Sequence, residues 1–276
     1  MMKKAVWMVV LVCLLVNCST PKPLLPEPTD VLVDWNSLHL SGKLVYVRFA
    51  TGGNQLVQLD LSTGKSKLLF QPPDKGVLSA AAVSPEGGQI ALVYSSPPPS
   101  GESYALPTIF LLPADGSGRF EPLLPNVGPK DSYFNPAWTP DGRQIYATHY
   151  HQGSGENDPD DTRIVKISLD GDVTSVLDHV TWPEISPDGK KMAFLTIDPR
   201  SGLNQLAIAK ADGSDPTDLL VGADFPTEDA HRFTPDGLAL VFSAALPRGS
   251  FQASPFEKLM GIEVAEAHNL PSDLYE

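Results

Sequence analysis

Short runs of alternating apolar and polar residues recur along this chain, and four of them follow a turn-forming triplet. These four runs read QIALVY (89–94), QIYATHY (144–150), KMAFLTI (191–197) and LALVFSA (238–244). An earlier run, KLVYVRF (43–49), follows Gly42 without the triplet. Alternation with a period of two residues is typical of a β-strand that buries one face. The pattern therefore predicts an all-β protein.

Each triplet consists of proline, an acidic residue and glycine. Proline fixes φ at about −65° at the second turn position, the acidic residue tolerates the third position, and glycine supplies the positive φ that closes a hairpin. We therefore predict four hairpin turns in which the acidic residue is structural and performs no acid–base chemistry. The turn residues are Pro85, Glu86, Gly87, Pro140, Asp141, Gly142, Pro187, Asp188, Gly189, Pro235, Asp236 and Gly237.

The turns repeat at a nearly constant interval. Gly42 and the four triplet glycines are separated by 45, 55, 47 and 48 residues. Each interval also holds a third apolar run, a second turn and a short fourth run, with the second turns near Gly64, Gly116, Gly171 and Gly213. A single four-stranded sheet cannot bury both of its faces, whereas units stacked radially cover one another. The repeat therefore predicts a β-propeller of four-stranded antiparallel blades.

Two segments carry a resemblance to a known repeat. SPDGKKMAFLT (186–196) and LAIAKADGSDPTDLL (206–220) closely resemble the TolB-like propeller repeat, a relative of the WD-repeat blade. The resemblance extends over roughly residues 38–244, with four copies in phase. It implies a ring of usually six or seven blades, and it does not imply an enzyme.

The repeat predicts four complete blades and a partial fifth within residues 31–276. The chain ends in SDLYE (272–276), which matches the start of a third strand. We therefore expect a C-terminally truncated piece of a six- to seven-bladed ring. The alternative is a closed five-bladed ring in which DVLVDW (30–35) completes the last blade. The expected blades are about 31–71, 77–125, 132–178, 180–221 and 228–276.

The first residues resemble an export signal. MMKK is a short positive start, and Ala5–Val16 is an apolar run of twelve residues, too short for the roughly 20 that a membrane-spanning helix needs. Cys18 resembles the lipidated cysteine of a bacterial lipobox, although Asn17 stands where that motif has a small residue. We expect a signal peptide at 1–18, lipidation at Cys18 and a proline-rich tether at 19–30. Ordinary cleavage nearby and an uncleaved anchor are the alternatives.

Charge and cysteine content narrow the classes of function. The formal net charge is −13, and an acidic chain lacks the basic patch that nucleic-acid binding needs. Cys13 and Cys18 are the only cysteines. Once the signal peptide is removed, the folded part has no disulfide, no cysteine-ligated zinc and no thiol nucleophile. We expect an exported protein, lipid-anchored at the outer face of the cytoplasmic membrane or in the periplasm.

The loops that follow the second strands are long, and loops on a rigid scaffold commonly carry binding function. One of them, HYHQGSGENDPDD (149–161), is rich in histidine and acidic residues. Its two histidines alternate on a strand and therefore point to one face. The segment is a candidate divalent-metal site, and a solvated polar loop is the alternative. The candidate ligands are His149, His151, Asp158 and Asp160, and no other cofactor is expected.

Aromatic residues precede three of the turns. We interpret Trp138, Trp182 and Phe233 as equivalent core residues between blades, with carbohydrate stacking as the alternative.

These observations favour a non-catalytic binding or scaffold propeller that engages a protein, peptide or glycan through its long loops. The sequence contains neither the G-x-S-x-G nucleophile motif nor the G-x-x-x-x-G-K-[ST] phosphate loop. The alternative is an enzyme, either a metal-dependent lyase or hydrolase or the propeller part of a truncated prolyl oligopeptidase-like peptidase.

Overall fold

The computed structural model describes residues 37–50, 53–72, 74–97, 105–197, 204–219, 227–245 and 272–275. These ranges contain eighteen strands and no helix, and hence no helix long and apolar enough to cross a membrane. The predicted signal peptide, Cys18, the tether and the 30–35 segment lie outside the described residues. The strands are β1 (Lys43–Arg48), β2 (Gln55–Asp60), β3 (Ser66–Phe70), β4 (Val77–Val83), β5 (Gln89–Ser95), β6 (Thr108–Pro113), β7 (Glu121–Pro122), β8 (Asp131–Trp138), β9 (Gln144–His151), β10 (Asp161–Ser168), β11 (Val173–Asp178), β12 (Val180–Ile185), β13 (Lys191–Ile197), β14 (Asn204–Lys210), β15 (Thr217–Asp218), β16 (Thr227–Phe233), β17 (Leu240–Ala245) and β18 (Ser272–Tyr275).

The strands form five antiparallel sheets, each built from strands that are consecutive in the chain. We number these sheets blades 1 to 5. Blades 2, 3 and 4 have four strands each, and within the described residues blades 1 and 5 have three each. Ser272–Tyr275 pairs with β17, with Tyr275 opposite Phe242, as predicted for a third strand. The all-β fold of four-stranded antiparallel blades is thus confirmed.

The four triplet turns share one hydrogen-bond pattern. In each, the glycine N–H donates to the serine or threonine carbonyl three residues earlier over 2.8 Å. Asp141 Oδ1 then accepts from Thr139 Oγ1 at 2.6 Å and from the Arg143 N–H at 3.1 Å. Asp188 and Asp236 make the same two bonds in their own turns. These carboxylates satisfy polar groups of the turn, which is a structural role.

Turns of neighbouring blades lie against one another at one end of the propeller, which we call the hairpin face. A Cβ built on the triplet glycine of blade 3, 4 or 5 would contact the triplet of the preceding blade, and only at Gly142 is the approach closer than a Cβ tolerates without a shift of its neighbour, the Glu86 side chain. The distances from such a Cβ are 2.6 Å from Gly142 to Glu86 Oε2, 3.5 Å from Gly189 to Pro140 Cγ and 3.4 Å from Gly237 to Pro187 Cδ.

The first strand of blades 3, 4 and 5 carries a β-bulge, where the pairing register shifts. In each bulge one residue other than glycine adopts a positive φ, which is uncommon and most unusual for a bulky side chain. These residues are Asn135 (φ 50°), Trp182 (φ 57°) and Ala230 (φ 43°).

The bulge corrects one prediction, because Trp138 and Trp182 do not occupy equivalent positions. Trp138 directly precedes its turn, is 8% exposed and donates from Nε1 to the Ala82 carbonyl of blade 2 at 2.9 Å. Phe233 also directly precedes its turn, so these two residues are equivalent. Trp182 is the counterpart of Asn135 in the bulge. Counted from the turn, Trp138 lies one residue before Thr139, whereas Trp182 lies four residues before Ser186, as Asn135 does before Thr139.

The hydrophobic core lies between the blades. Along β9, Ile145 and Ala147 pack toward blade 2, whereas Tyr146 packs toward blade 4. Because side chains alternate along a strand, His149 continues the side that faces blade 2. The polar side chain of His149, at the end of β9, therefore lies at the rim between blades 2 and 3.

Candidate functional site

Two rows of polar side chains cross blade 3 at the end opposite the triplet turns. We call this end the long-loop face, since the loop between β9 and β10 (residues 152–160) and the connection between blades 2 and 3 (residues 123–130) lie there. Residues directly opposite one another on neighbouring strands share a face of the sheet. The two rows are Tyr133–His149–Arg163 and Asp131–His151–Asp161, on β8, β9 and β10.

The rows border an open cleft with a volume of about 460 Å³. Three imidazoles line it, those of His149, His151 and His179, together with Arg163 and the acidic segment 158–161. His149 is held from the other side by Tyr133, whose ring stacks on the imidazole with centroids 4.6 Å apart and planes 15° from parallel.

Asp131 connects both strand-borne histidines. Its Oδ1 lies 2.9 Å from His149 Nε2 and 2.8 Å from His151 Nδ1. Burial raises the pKa of Asp131, but the hydrogen bonds from His151 and His149 outweigh it and hold the pKa below its usual value. The carboxylate therefore stays ionised and fixes the orientation of both rings.

His151 is hydrogen-bonded at both ring nitrogens. Besides Nδ1 on Asp131, its Nε2 lies 3.0 Å from Asp158 Oδ1. Ionised carboxylates only accept hydrogen bonds, so two such bonds require both ring nitrogens to carry protons. The bonds to Asp131 and then to Asp158 raise the pKa of His151, against a smaller opposing effect of burial. The geometry therefore favours an imidazolium between two carboxylates.

Asp158 fixes the shape of the loop between β9 and β10, residues 152–160. Its Oδ2 accepts from Lys130 Nζ at 2.6 Å and from Ser154 Oγ at 2.8 Å. Hydrogen bonds from Lys130, Ser154 and His151 hold the pKa of Asp158 far below its usual value. The Ser154 N–H also donates to the Asp158 carbonyl at 2.8 Å. The loop is thus closed on itself and tied to the sheet at one carboxylate.

The four predicted metal ligands lie at one cleft, but they are not arranged as a metal site. His149, His151, Asp158 and Asp160 all border the cleft, but Asp160 Oδ1 accepts from the Gly153 N–H at 2.7 Å. Across the residues that the structure describes, no group of three or more histidine, cysteine, aspartate or glutamate residues is arranged to hold a metal ion. A metal at these residues stays a prediction, and a metal bound by His151 would have to displace a carboxylate.

Sequence reasoning missed the residues that organise the site. Lys130 ends the connection between blades 2 and 3, and Asp131 begins β8. Arg163 forms ion pairs with Asp161 and, at 3.8 Å, with Asp178. The pairing of Asp131 with His151 follows from the register of β8 and β9, which the sequence pattern does not show. The remaining described histidines do not join the network: His39 lies on blade 1, His179 is exposed at the rim and His231 is buried beside blade 4.

Comparison with known proteins shows the fold. The chain is similar to a TolB of Agrobacterium tumefaciens, at 21% identity and a TM-score of 0.52, over 69% of this chain and 62% of that protein. It is similar to TolB of Acinetobacter baumannii, at 19% identity and a TM-score of 0.53, over 74% of this chain and 49% of that protein. The fold is therefore that of a TolB-like β-propeller.

An enzyme shares the same fold. An oligogalacturonate lyase in complex with manganese matches at 18% identity and a TM-score of 0.53, over 75% of this chain and 57% of the lyase. The chain thus spans between 49% and 62% of the length of these three structures. No protein-family model matches the chain, and no curated protein matches it.

Proposed function

We propose that the chain is a non-catalytic, exported binding propeller, anchored to a membrane through Cys18, whose long-loop face engages a protein, peptide or glycan. The observation that carries the proposal is the fixed shape of the 152–160 loop beside the cleft. Loops held by a rigid scaffold commonly carry binding function, and the blades of this propeller provide such a scaffold. The apolar run at 5–16 supports export.

The loop is ordered before any partner arrives. Asp158 bonds to Lys130, Ser154 and His151, whereas Glu156 at the tip of the loop is exposed. Ordering a loop on binding costs free energy, and a loop that is already ordered avoids that cost. The polar tip therefore offers a preformed contact surface next to a cleft that can admit part of a partner.

The engagement of His151 at both ring nitrogens supports a role for this residue without catalysis. A general base must reach the proton that it removes, and a metal ligand must present a free lone pair. Both nitrogens of His151 are occupied by Asp131 and Asp158, and one nitrogen of His149 by Asp131. His151 therefore lacks the open geometry that an activated base would need, whereas His149 is engaged at one nitrogen only.

A metal-dependent lyase or hydrolase is the second candidate. It is favoured by two imidazoles at one cleft, and by the likeness to a propeller that is named as a lyase in complex with manganese. For this function the carboxylates would have to turn away from His151 and act as ligands with it.

A pair of matched charge reversals tests the proposal. Glu156→Lys changes the tip of the loop, and Glu121→Lys makes the same change on β7, an outer strand of blade 2. Binding of each purified variant to a panel of cell-envelope proteins and glycans is measured by surface plasmon resonance. We expect Glu156→Lys to weaken binding at least tenfold and Glu121→Lys to leave it within twofold, which are order-of-magnitude estimates for a central charged contact.

The same proteins are assayed for turnover of polyuronates and peptides, with and without manganese. Turnover that His149→Ala abolishes would contradict the proposal and favour the enzyme. Equal binding by both charge-reversed variants would show that the loop is not the contact surface.

A further inference from the structure

His231 occupies a repeat position that blades 3 and 4 fill with proline. It lies three residues before Thr234, as Pro136 lies before Thr139 and Pro183 before Ser186. The side chain is 1% exposed, and it follows the positive-φ residue Ala230 in the bulge of β16. Blade 5 therefore places a titratable ring where blades 3 and 4 have an apolar one.

The surroundings of His231 disfavour its charged form. Among the described residues, neither ring nitrogen has a hydrogen-bond partner of normal geometry. The ring lies near that of Trp182, with centroids 6.3 Å apart. Burial lowers the pKa of His231 to about 4, outweighing the opposing effect of backbone groups of Ala193 and Trp182. The imidazole is thus neutral in the folded protein at neutral pH.

We call the contact between blades 4 and 5 the seam. Among the described residues, its buried side chains other than His231 are apolar, namely those of Ala193, Leu195, Leu206 and Phe242. An apolar contact tolerates a buried charge poorly, because the charge loses its hydration without gaining a partner.

Few charged groups face His231 from the packed elements. On β16, Arg232 adjoins it and opposes its protonation, while Glu228 and Asp229 come earlier in the strand. From β12, Glu184 forms an ion pair with Arg232. The ends of β13 and β14 carry Lys191 and Lys210, and Leu240–Ala245 has no titratable side chain.

We propose that His231 makes the seam acid-sensitive, so that protonation of its imidazole releases blade 5 from blade 4. The folded pKa of about 4 lies below the ordinary value of 6.5. Between these two values the opened seam binds more protons than the closed one, so stability is lost as the pH falls through this window. The predicted change in the opening equilibrium is roughly 30-fold at pH 5 and up to roughly 300-fold below pH 4.

Glu184 acts in the opposite direction. Burial raises its pKa, against the effect of Arg232, and a carboxyl group with a raised pKa gains stability as the pH falls. The test variants therefore leave Glu184 and Arg232 in place, so that only the histidine changes.

Hydrogen exchange read by mass spectrometry tests the proposal on the full chain. Protection of β16 and β17, corrected for intrinsic exchange, is compared at pH 7 and pH 5, with β8–β10 of blade 3 as the internal reference. We expect protection of the wild-type seam, relative to blade 3, to fall by roughly 20-fold more than it falls in the His231 variants, which retain Glu184. The variant His231→Pro introduces the residue that blades 3 and 4 have at this position. In His231→Leu an apolar side chain of different shape replaces the imidazole. Both should lose this pH dependence, whereas His39→Gln, an exposed position on blade 1, should retain it.

Two results would overturn the proposal: a wild-type seam whose protection does not fall, or variants whose protection falls as much as that of the wild type. If the variants fail to fold, an NMR titration of the wild-type imidazole decides. Neutral His231 at pH 5 supports the proposal, and titration near 6.5 contradicts it.

Discussion

Asp131 Oδ1 lies 2.8 Å from His151 Nδ1, and this bond joins the start of the first strand of blade 3 to the end of its second strand. The same oxygen accepts from His149. Removing the carboxylate leaves both donors unpaired in a partly buried place. We expect Asp131→Ala to lower the free energy of unfolding by about 1–3 kcal/mol, measured by urea denaturation. Asp178→Ala, at an exposed carboxylate of the outer strand, is the control and should cost less than about 0.5 kcal/mol.

The charge state of His151 gives a second prediction. Its pKa is raised by the bonds to Asp131 and Asp158, so these bonds contribute stability below the ordinary pKa of 6.5 that is lost as the pH rises through the raised value. NMR titration should find the imidazole of His151 protonated above pH 6.5. In Asp158→Asn one of the two carboxylates is gone, and the pKa should move back toward its ordinary value. An unchanged titration in that variant would contradict the bridging geometry.

Two glycines with similar backbone conformations should respond differently to alanine. Gly116 and Gly87 have φ values of +81° and +73°. A Cβ on Gly116 would lie 2.3 Å from the backbone oxygen of Leu69 in the preceding blade, whereas a Cβ on Gly87 would have no atom within 4 Å. We expect Gly87→Ala to cost about 1–2 kcal/mol from backbone strain alone, and Gly116→Ala to cost about 3 kcal/mol or more. Thermal and urea unfolding check the difference, and equal costs would show that the blades are not packed this closely.

The triplet turn of blade 2 has Glu86 where the other three triplet turns have aspartate, and an aspartate at this position should stabilise the turn. Asp141 accepts from Thr139 and Arg143, whereas Glu86, one methylene longer, makes no equivalent bond within the described residues. We expect Glu86→Asp to raise the melting temperature and the reverse change, Asp141→Glu, to lower it, because an aspartate caps its own turn. Calorimetry on the pair measures both directions. A fall in the melting temperature of Glu86→Asp would show that Glu86 has a contact role that the capping bond does not replace.

The turns and strands were predictable because their causes are local. Proline, aspartate and glycine determine the conformation of a four-residue turn. The alternation of apolar and polar residues determines which face of a single strand is buried. The period then required radial stacking, and the all-β fold of four-stranded antiparallel blades is confirmed. The strands of blade 3 run from Asp131 to Asp178, and the range expected for this blade was 132–178.

The site was less predictable because of the bulge in β8. Near the turn, Trp138 lies opposite Ile145, and this register continued without a shift would set Ser132 opposite His151. The bulge shifts the register by one residue and brings Asp131 opposite His151 instead. A shift of one residue moves side chains to the other face of a sheet. The partnership of Asp131 with the histidines therefore depends on a bulge that alternation does not reveal.

Contact through the long-loop face is tested most directly by crosslinking in cells. A photo-crosslinking amino acid is placed at Glu156, on the tip of the long loop, and separately at Leu238, which is 86% exposed on the hairpin face. Irradiation is followed by mass spectrometry of the adducts. The account predicts a specific adduct from position 156 that disappears in Asp158→Ala, and none from position 238. An adduct from position 238 alone would contradict it, because the partner would then bind the hairpin face.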